Sequence, residues 1–253
     1  MNGAAIELEG ATVRLGGRTV LDDLSATFEA GRISIVLGPS GSGKSTILRV
    51  LAGLQRLTSG HVRVADEPIL GPSASRGLVF QQDGLLPWLN VRQNVELPLK
   101  IARVPKAQRT VRVTEMLAEV ELSAHGDLLP GSLSGGMRQR AQIARTLVTR
   151  PSVLLLDEPF SALDIRTRAA CQQLLLRVHD EHRPTVVFVT HDLEEADALG
   201  GRQLVLTGKP ANGLVEIPDS PSRATETGTD ANSAHVHRLK LLALFASETG
   251  ASR

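Results

Sequence analysis

Nine residues, GPSGSGKST at positions 38–46, limit this chain more than any other feature. They follow a short unbroken apolar run, Ile33–Leu37, and precede ILRVLAG, whose apolar residues recur at helical spacing. A buried strand, a glycine loop and a helix start, in that order, make an anion cradle. Gly38, Gly41 and Gly43 permit backbone angles and a close approach that a Cβ would block. The N–H groups of the loop then point inward at phosphate oxygens, aided by the helix N-terminus. Lys44 is placed to reach the terminal phosphates, and Ser45 to offer a hydroxyl to a divalent cation. A plain Gly/Ser turn before a helix would have no use for that Lys-Ser-Thr ending.

Further apolar runs share the character of the first: 78–80, 153–156, 186–189 and, more weakly, 204–206. Such runs predict strands buried on both faces of a parallel sheet, with helical stretches between them. The N-terminal part differs. IELEGATVRL alternates loosely, with a turn expected near Gly10. LDDLSATFEAGRISIVLG gives two strand-like segments around a turn at Ala30-Gly31, and 60–64 alternates again before the breaker DEP. These segments predict a small antiparallel sheet. The stretch 91–129 reads as mostly helical and as a lobe set into the sheet. Residues from Pro218 onward are rich in Ser, Thr, Pro, Gly and Asp. They predict a flexible linker at 216–235, followed at 236–253 by a short amphipathic helix and tail.

LLLDEP, at 154–159, places two carboxylates at the end of a buried strand. Asp157 is expected to hold Mg²⁺, directly or through water, and Glu158 to orient and deprotonate an attacking water. Neighbours on a strand point opposite ways, so the two acids should not share one task. Asp as a simple helix cap is the competing reading of this segment alone. The loop at Gly38, Pro39, Ser40, Gly41, Ser42, Gly43, Lys44, Ser45 and Thr46 fits the Walker A pattern, which by itself defines only a P-loop nucleotidase.

LSGGMRQR, at 133–140, narrows the choice. Ser134, Gly135 and Gly136 open a helix, making a second N-terminus suited to anions. The segment resembles the signature of the ABC (ATP-binding cassette) ATPases very closely. In that family this helix faces the γ-phosphate held by the opposite subunit, so the resemblance implies a homodimer sandwiching two ATP molecules. Other family elements stand in order. Gln81 in VFQQ resembles the Q-loop glutamine, a Mg²⁺ and water contact. Ser161, Ala162, Leu163 and Asp164 resemble the D-loop at the dimer interface. His191 in VTHD resembles the switch histidine that touches the γ-phosphate. The resemblance covers about residues 5–215 and implies an α/β cassette with a parallel-sheet core, an N-terminal antiparallel subdomain and a helical subdomain at about 85–150. Lys44 and Ser134 lie about ninety residues apart, which suits a compact helical lobe and leaves no room for a long coiled-coil insert.

LVFQQDGLLPWLNVRQNVELPL, at 78–99, together with QLVLTGKPANGLVEI near the end, resembles the ATPase subunits of nitrate, sulfonate and taurine importers. That implies uptake of a small anionic solute through an integral membrane permease dimer, with a solute-binding protein acting indirectly. The site would lie on the cytoplasmic face of the membrane. The region around Leu85, Leu86, Pro87, Trp88 and Leu89 is expected to include exposed apolar groups, with Leu86, Pro87 and Trp88 offered for permease docking; Trp88 buried inside the helical lobe is the alternative. A cassette serving export or lipid extraction is the rival function.

Two departures from the family stand out. Many cassettes carry an aromatic residue that stacks on adenine. Here that position falls at about Leu15; the chain has no Tyr, and the nearest aromatic, Phe28, has the look of a core residue. Gly200 and Gly201 stand where an acidic residue is common. Composition excludes several other classes. A formal net charge of +1 gives no case for nucleic-acid binding. The single cysteine, Cys171, rules out an internal disulfide framework and a multi-cysteine zinc site. The N-terminus is too polar for a signal peptide, and no apolar run reaches the roughly 20 residues that a membrane-spanning helix needs.

Overall fold

The computed structural model describes residues 3–81 and 84–217. The helix expected within 236–253 and nearly all of the expected linker lie outside the described residues. Glu216 and Ile217, read from sequence as the start of that linker, instead finish a strand, because both pair with the neighbouring strand.

A mixed six-stranded sheet forms the centre. Its strands are β3 (Ile33–Leu37), β6 (Arg76–Val79), β7 (Val153–Asp157), β8 (Thr185–Thr190), β9 (Arg202–Thr207) and β10 (Gly213–Ile217). Their spatial order is β10-β9-β3-β8-β7-β6; all neighbours are parallel except β10 with β9. The apolar runs of β3, β7, β8 and β9 arise because both faces are covered. The run at 78–80 departs from that expectation: β6 is an edge strand in which only Val79 is buried, and Phe80, just past its end, is 41% exposed. Leu154 and Leu156 face one hydrophobic cluster, which includes helix residues such as Leu99, Ile143 and Leu174. Val153 and Leu155 face the other, which includes Ile47, Leu48 and the inner side of the second sheet.

That second sheet has the order β2-β1-β4-β5, built from β1 (Ile6–Leu15), β2 (Arg18–Phe28), β4 (Ser59–Val64) and β5 (Glu67–Pro68). The DEP breaker thus also supplies a two-residue edge strand, where a proline costs no ladder bond. Gly10 does not make a turn. β1 runs straight through it, with φ +58 and a register shift between Leu8 and Ala11, which is a bulge; the chain reverses instead at Gly16-Gly17, both at positive φ. Phe28 is fully buried, as its setting in the sequence predicts.

Six α-helices complete the described residues: α1 (Lys44–Leu51), α2 (Val91–Ile101), α3 (Lys106–Glu119), α4 (Gly135–Leu147), α5 (Ile165–His182) and α6 (Leu193–Leu199). Helices α2, α3 and α4 lie between β6 and β7 in the chain. The start of α2 is fixed by a capping box in which Asn90 and Gln93 satisfy each other's backbone N–H groups.

Candidate active site

Register decides where the site lies. Leu37 stands beside Thr190, Asp157 beside Val189, and Leu156 beside Val79. The C-terminal ends of β3, β8, β7 and β6 are therefore level, and each delivers one sequence-predicted group at the same edge. This is the edge where open α/β sheets place ligands.

After β3 the chain enters the glycine loop. Gly41 and Gly43 hold φ of +78 and +107, and Gly43 is the uncapped residue before α1, so no side chain occupies the N–H groups of the helix start. Gly38 serves a different need: a Cβ there would lie 2.9 Å from Ser42 Oγ. Ser42 Oγ is itself buried without a hydrogen-bond partner, the kind of unsatisfied group that a phosphate oxygen would complete. Lys44 is only 4% exposed; its Nζ donates to the carbonyls of Gly38 and Pro39 at 2.8 and 2.9 Å. Burial lowers the Lys44 pKa, and the nearby Glu158 and Asp157 oppose that shift.

After β7 come the two acids. Ser45 Oγ donates to Asp157 Oδ1 at 2.9 Å. Burial pushes the Asp157 carboxyl up from its usual range, while the Ser45 hydrogen bond pulls it down. Glu158 is not part of the strand. It turns at φ +44, its N–H donates to the Val189 carbonyl at 3.0 Å, and Phe160 just beyond it packs its ring 5.6 Å from that of Phe188. The sequence argument for separate tasks rested on strand alternation; the separation itself comes from this left-handed turn. Glu158 Oε1 sits 3.8 Å from Lys44 Nζ, and Oε2 sits 3.0 Å from His191 Nδ1. Gln81, following β6, donates its Nε2–H to the same Oε2 at 3.4 Å. Lys44, Gln81, Glu158 and His191 thus form one group, with Ser45 and Asp157 beside it.

The hydroxyl of Ser45, the carboxylate of Asp157 and the amide oxygen of Gln81 make an all-oxygen donor set, which fits a hard divalent cation such as Mg²⁺. The open N–H groups, the orphaned Ser42 hydroxyl and the buried ammonium fit a polyphosphate.

The other sequence-predicted residues lie apart from this group. Ser134 is exposed and caps α4, its Oγ accepting from the Met137 N–H at 3.3 Å. Gly136 is buried against α5, where a Cβ would fall 2.2 Å from Thr167 Cγ2. Gly135 is half-buried beside Leu163. Ser161 Oγ donates to the Glu158 carbonyl at 3.0 Å, Ala162 and Leu163 complete the turn, and Asp164 caps α5. Trp88 is 71% exposed and Pro87 is exposed, whereas Leu86 is half-buried. Leu85, grouped with them from sequence as a source of exposed apolar surface, turns into the core. Buried Asn94 holds this loop, donating to the carbonyls of Leu86, Leu89 and Asn90 and accepting from the Leu86 N–H. Leu15 is 38% exposed at the end of β1. Gly201 has φ +93, and a Cβ there would meet the Ile33 carbonyl oxygen at 2.6 Å, whereas Gly200, at φ +65, has open space where its Cβ would lie.

Sequence reasoning did not single out Thr190, Arg168 and Glu195, which surround the His191 turn. Thr190 precedes, and Glu195 belongs to, a helix-start pattern of Asp192 followed by Glu194 and Glu195 that was legible as a cap.

This geometry defines a P-loop nucleotidase cassette. A family model described as ABC transporter matches residues 21–161. The taurine import ATP-binding protein TauB of Escherichia coli strain K12 is 42% identical over 218 residues, 86% of each chain. The protein of the same name from Shigella sonnei is equally similar. Among solved structures, MJ0796, a bacterial ABC transporter cassette in dimeric form, superposes with a TM-score of 0.70 at 33% identity, covering 79% of this chain and 93% of that one. CbiO1 from Clostridium perfringens, part of the transporter complex cbiONQ, gives 0.74 at 25% identity, over 83% and 86%. The chain belongs to the ABC transporter family, in which it is the ATPase cassette.

Proposed function

We propose that the chain is the ATP-hydrolysing subunit of an importer for a small anionic solute of the taurine, sulfonate or nitrate kind. The observation that carries this reading is the Lys44–Glu158–His191–Gln81 group at the level strand ends, together with 42% identity to the E. coli taurine import ATPase over most of both chains. No helix among the described residues is long and apolar enough to cross a membrane. Translocation would fall to a separate permease, a reading supported by the likeness to the taurine import ATPase. The cassette would sit against the permease on the cytoplasmic face, with Trp88 and Pro87 as docking groups, and a solute-binding protein would supply the solute from the other side.

Hydrolysis would follow from the side chains as they stand. The N–H groups of residues 41–46 and the ammonium of Lys44 bind the β- and γ-phosphates. Ser45, Asp157 and Gln81 would hold Mg²⁺, which would supply positive charge to offset that of the phosphates. Glu158 takes the proton from the attacking water, and His191 holds the Glu158 carboxylate from the other side. Ser134, Gly135 and Gly136 have no part in this group within one chain. Their helix start, where Ser134 caps only the Met137 N–H, is suited to the γ-phosphate of a second copy, with residues 161–164 along the shared face. ATP binding gained only in the closed pair shifts the equilibrium between open and closed dimers, and the permease follows.

The test is ATP-dependent dimerisation of Glu158→Gln by size-exclusion chromatography. Removing the base should trap the closed pair, giving a monomer-to-dimer shift with ATP that a Lys44→Ala version lacks. Absence of nucleotide binding in Glu158→Gln would overturn the reading.

A further inference from the structure

Two loops present the hydrolytic pair, and one arginine holds both. Residues 161–164 lead from Glu158 into α5, and His191-Asp192 lead from β8 into α6. Arg168, in the first turn of α5, reaches each of them. Its Nη1 donates to Asp192 Oδ2 at 2.8 Å, and its Nη2 donates to the Leu163 carbonyl at 3.3 Å. Its Nε faces Glu195 Oε1 at 3.7 Å, an ion-pair distance too long for a hydrogen bond. Glu195 is 2% exposed; its other oxygen accepts from Thr190 Oγ1 at 2.7 Å, and that hydroxyl accepts from the Asp192 N–H at 3.0 Å.

Followed around, the contacts close on themselves. The Glu158 carbonyl accepts from Ser161 Oγ at 3.0 Å. Two residues on, the Leu163 carbonyl is hydrogen-bonded to Arg168, and Arg168 to Asp192; the residue before Asp192, His191, lies 3.0 Å from the Glu158 carboxylate. An ion pair that served only to pack α5 on α6 would need Asp192 and Glu195. It would not need the Leu163 carbonyl. A guanidinium can make all of these bonds at once because its donors are fixed in one plane; an ammonium on a flexible stem cannot span the same partners.

We propose that Arg168 is a positioning residue for hydrolysis, tying the loop of residues 161–164 to the loop that carries His191, so that a second copy seated on the first loop sets the His191–Glu158 contact. This rests on the function proposed above. In that reading residues 161–164 face the second copy, and Arg168 is the physical link from that face to the water-activating pair. The coupling runs through a bonded path of one side chain and two short loops rather than through a diffuse change in packing.

The experiment uses the full chain with ATP and Mg²⁺ and compares Arg168→Ala, Arg168→Lys, Asp192→Asn and the Arg168→Ala/Asp192→Asn double variant. Asparagine caps a helix as well as aspartate does, so Asp192→Asn removes the charge facing Arg168 without removing the start of α6. The expected result is a kcat about 10- to 100-fold lower in Arg168→Ala. KM and the Kd for ATP should stay within about twofold, since the phosphate loop is untouched. Lysine should restore only part of the rate, and the double variant should lose no more than the worse single one. A wild-type kcat in Arg168→Ala, additive losses in the double variant, or a parallel loss of ATP binding would each overturn the proposal. Should Arg168→Ala fail to fold, Asp192→Asn decides: an unchanged kcat sinks the idea and a selective kcat loss supports it. A parent chain that binds but never hydrolyses ATP would instead remove the function on which the proposal rests.

Discussion

Glu158 holds its carboxylate on a backbone at φ +44, a region that costs a non-glycine residue of order 1 kcal/mol or more. The turn persists because its surroundings hold it: the Val189 carbonyl accepts its N–H, Ser161 donates to its carbonyl, and Phe160 is anchored on Phe188. The strain lifts the carboxylate off the strand toward Lys44, Gln81 and His191. Leu15 presents the opposite case, a site where nothing forces the residue. It is 38% exposed beside the Gly16-Gly17 turn, and it offers no aromatic face to a base. Base–aromatic stacking is worth about 1–3 kcal/mol in nucleic-acid systems. Leu15→Tyr should therefore tighten ATP binding by about fivefold or more, measured by calorimetry on the Glu158→Gln background. An unchanged Kd would show that position 15 does not touch the base.

At the scale of elements, the second sheet depends on a pair of glycines. The β1 bulge brings Gly10 against Gly60 at the start of β4. Gly60 has φ +86, and a Cβ on it would fall 2.2 Å from the Gly10 carbonyl oxygen. Neither partner can yield, since both are backbone. Gly60→Ala is expected to cost more than about 2 kcal/mol, read as a lower urea midpoint, with the m-value unchanged. The helices are held together differently. Glu121, just past α3, accepts from Arg140 of α4 and, at 2.9 Å, from Arg177 of α5. The Arg140 hydrogen bond and charge, with Arg177 adding to them, hold the Glu121 carboxyl below its usual range. A depressed folded-state pKa contributes stability that is present above the unfolded value and is lost as pH falls through the folded value. The pairs are largely exposed, so Glu121→Gln should cost only ~0.2–1 kcal/mol at neutral pH. That difference should disappear in strong acid and shrink at high salt, both checked by urea unfolding.

In the proposed function the whole molecule works together with a second copy and a permease. Trp88 is the largest apolar side chain left outside the core, at 71% exposure, on a loop pinned from below by Asn94 and begun by the same segment that carries Gln81. An exposed aromatic on a rigid loop is poorly explained by the monomer and well suited to a docking contact. Trp88→Ala is expected to leave the ATPase rate of the isolated chain within about twofold while abolishing solute uptake in proteoliposomes with the permease. Equal loss of both activities would place Trp88 in the fold and not in the contact.

The strand runs, the order of the motifs and the helix after each glycine loop were all legible in the chain. Each depends on local periodicity or on a backbone that favours one residue type, as the positive-φ loop positions favour Gly41 and Gly43. Such signals are written within a few neighbours. The bulge at Gly10 was misread as a turn because a glycine at positive φ serves either, and only the partner strand at Gly60 separates the two. Leu85 was grouped with exposed residues because nothing local distinguishes it from Leu86; the side of the loop that meets the core is set by packing. The circuit from Glu158 through Arg168 to His191 could not be read at all, since its members are brought together by level strand ends and by the crossing of α5 past α6. Sequence by itself determined which chemistry this protein carries. Tertiary structure decided which groups stand within bonding distance, because that distance depends on register and packing between segments far apart in the chain.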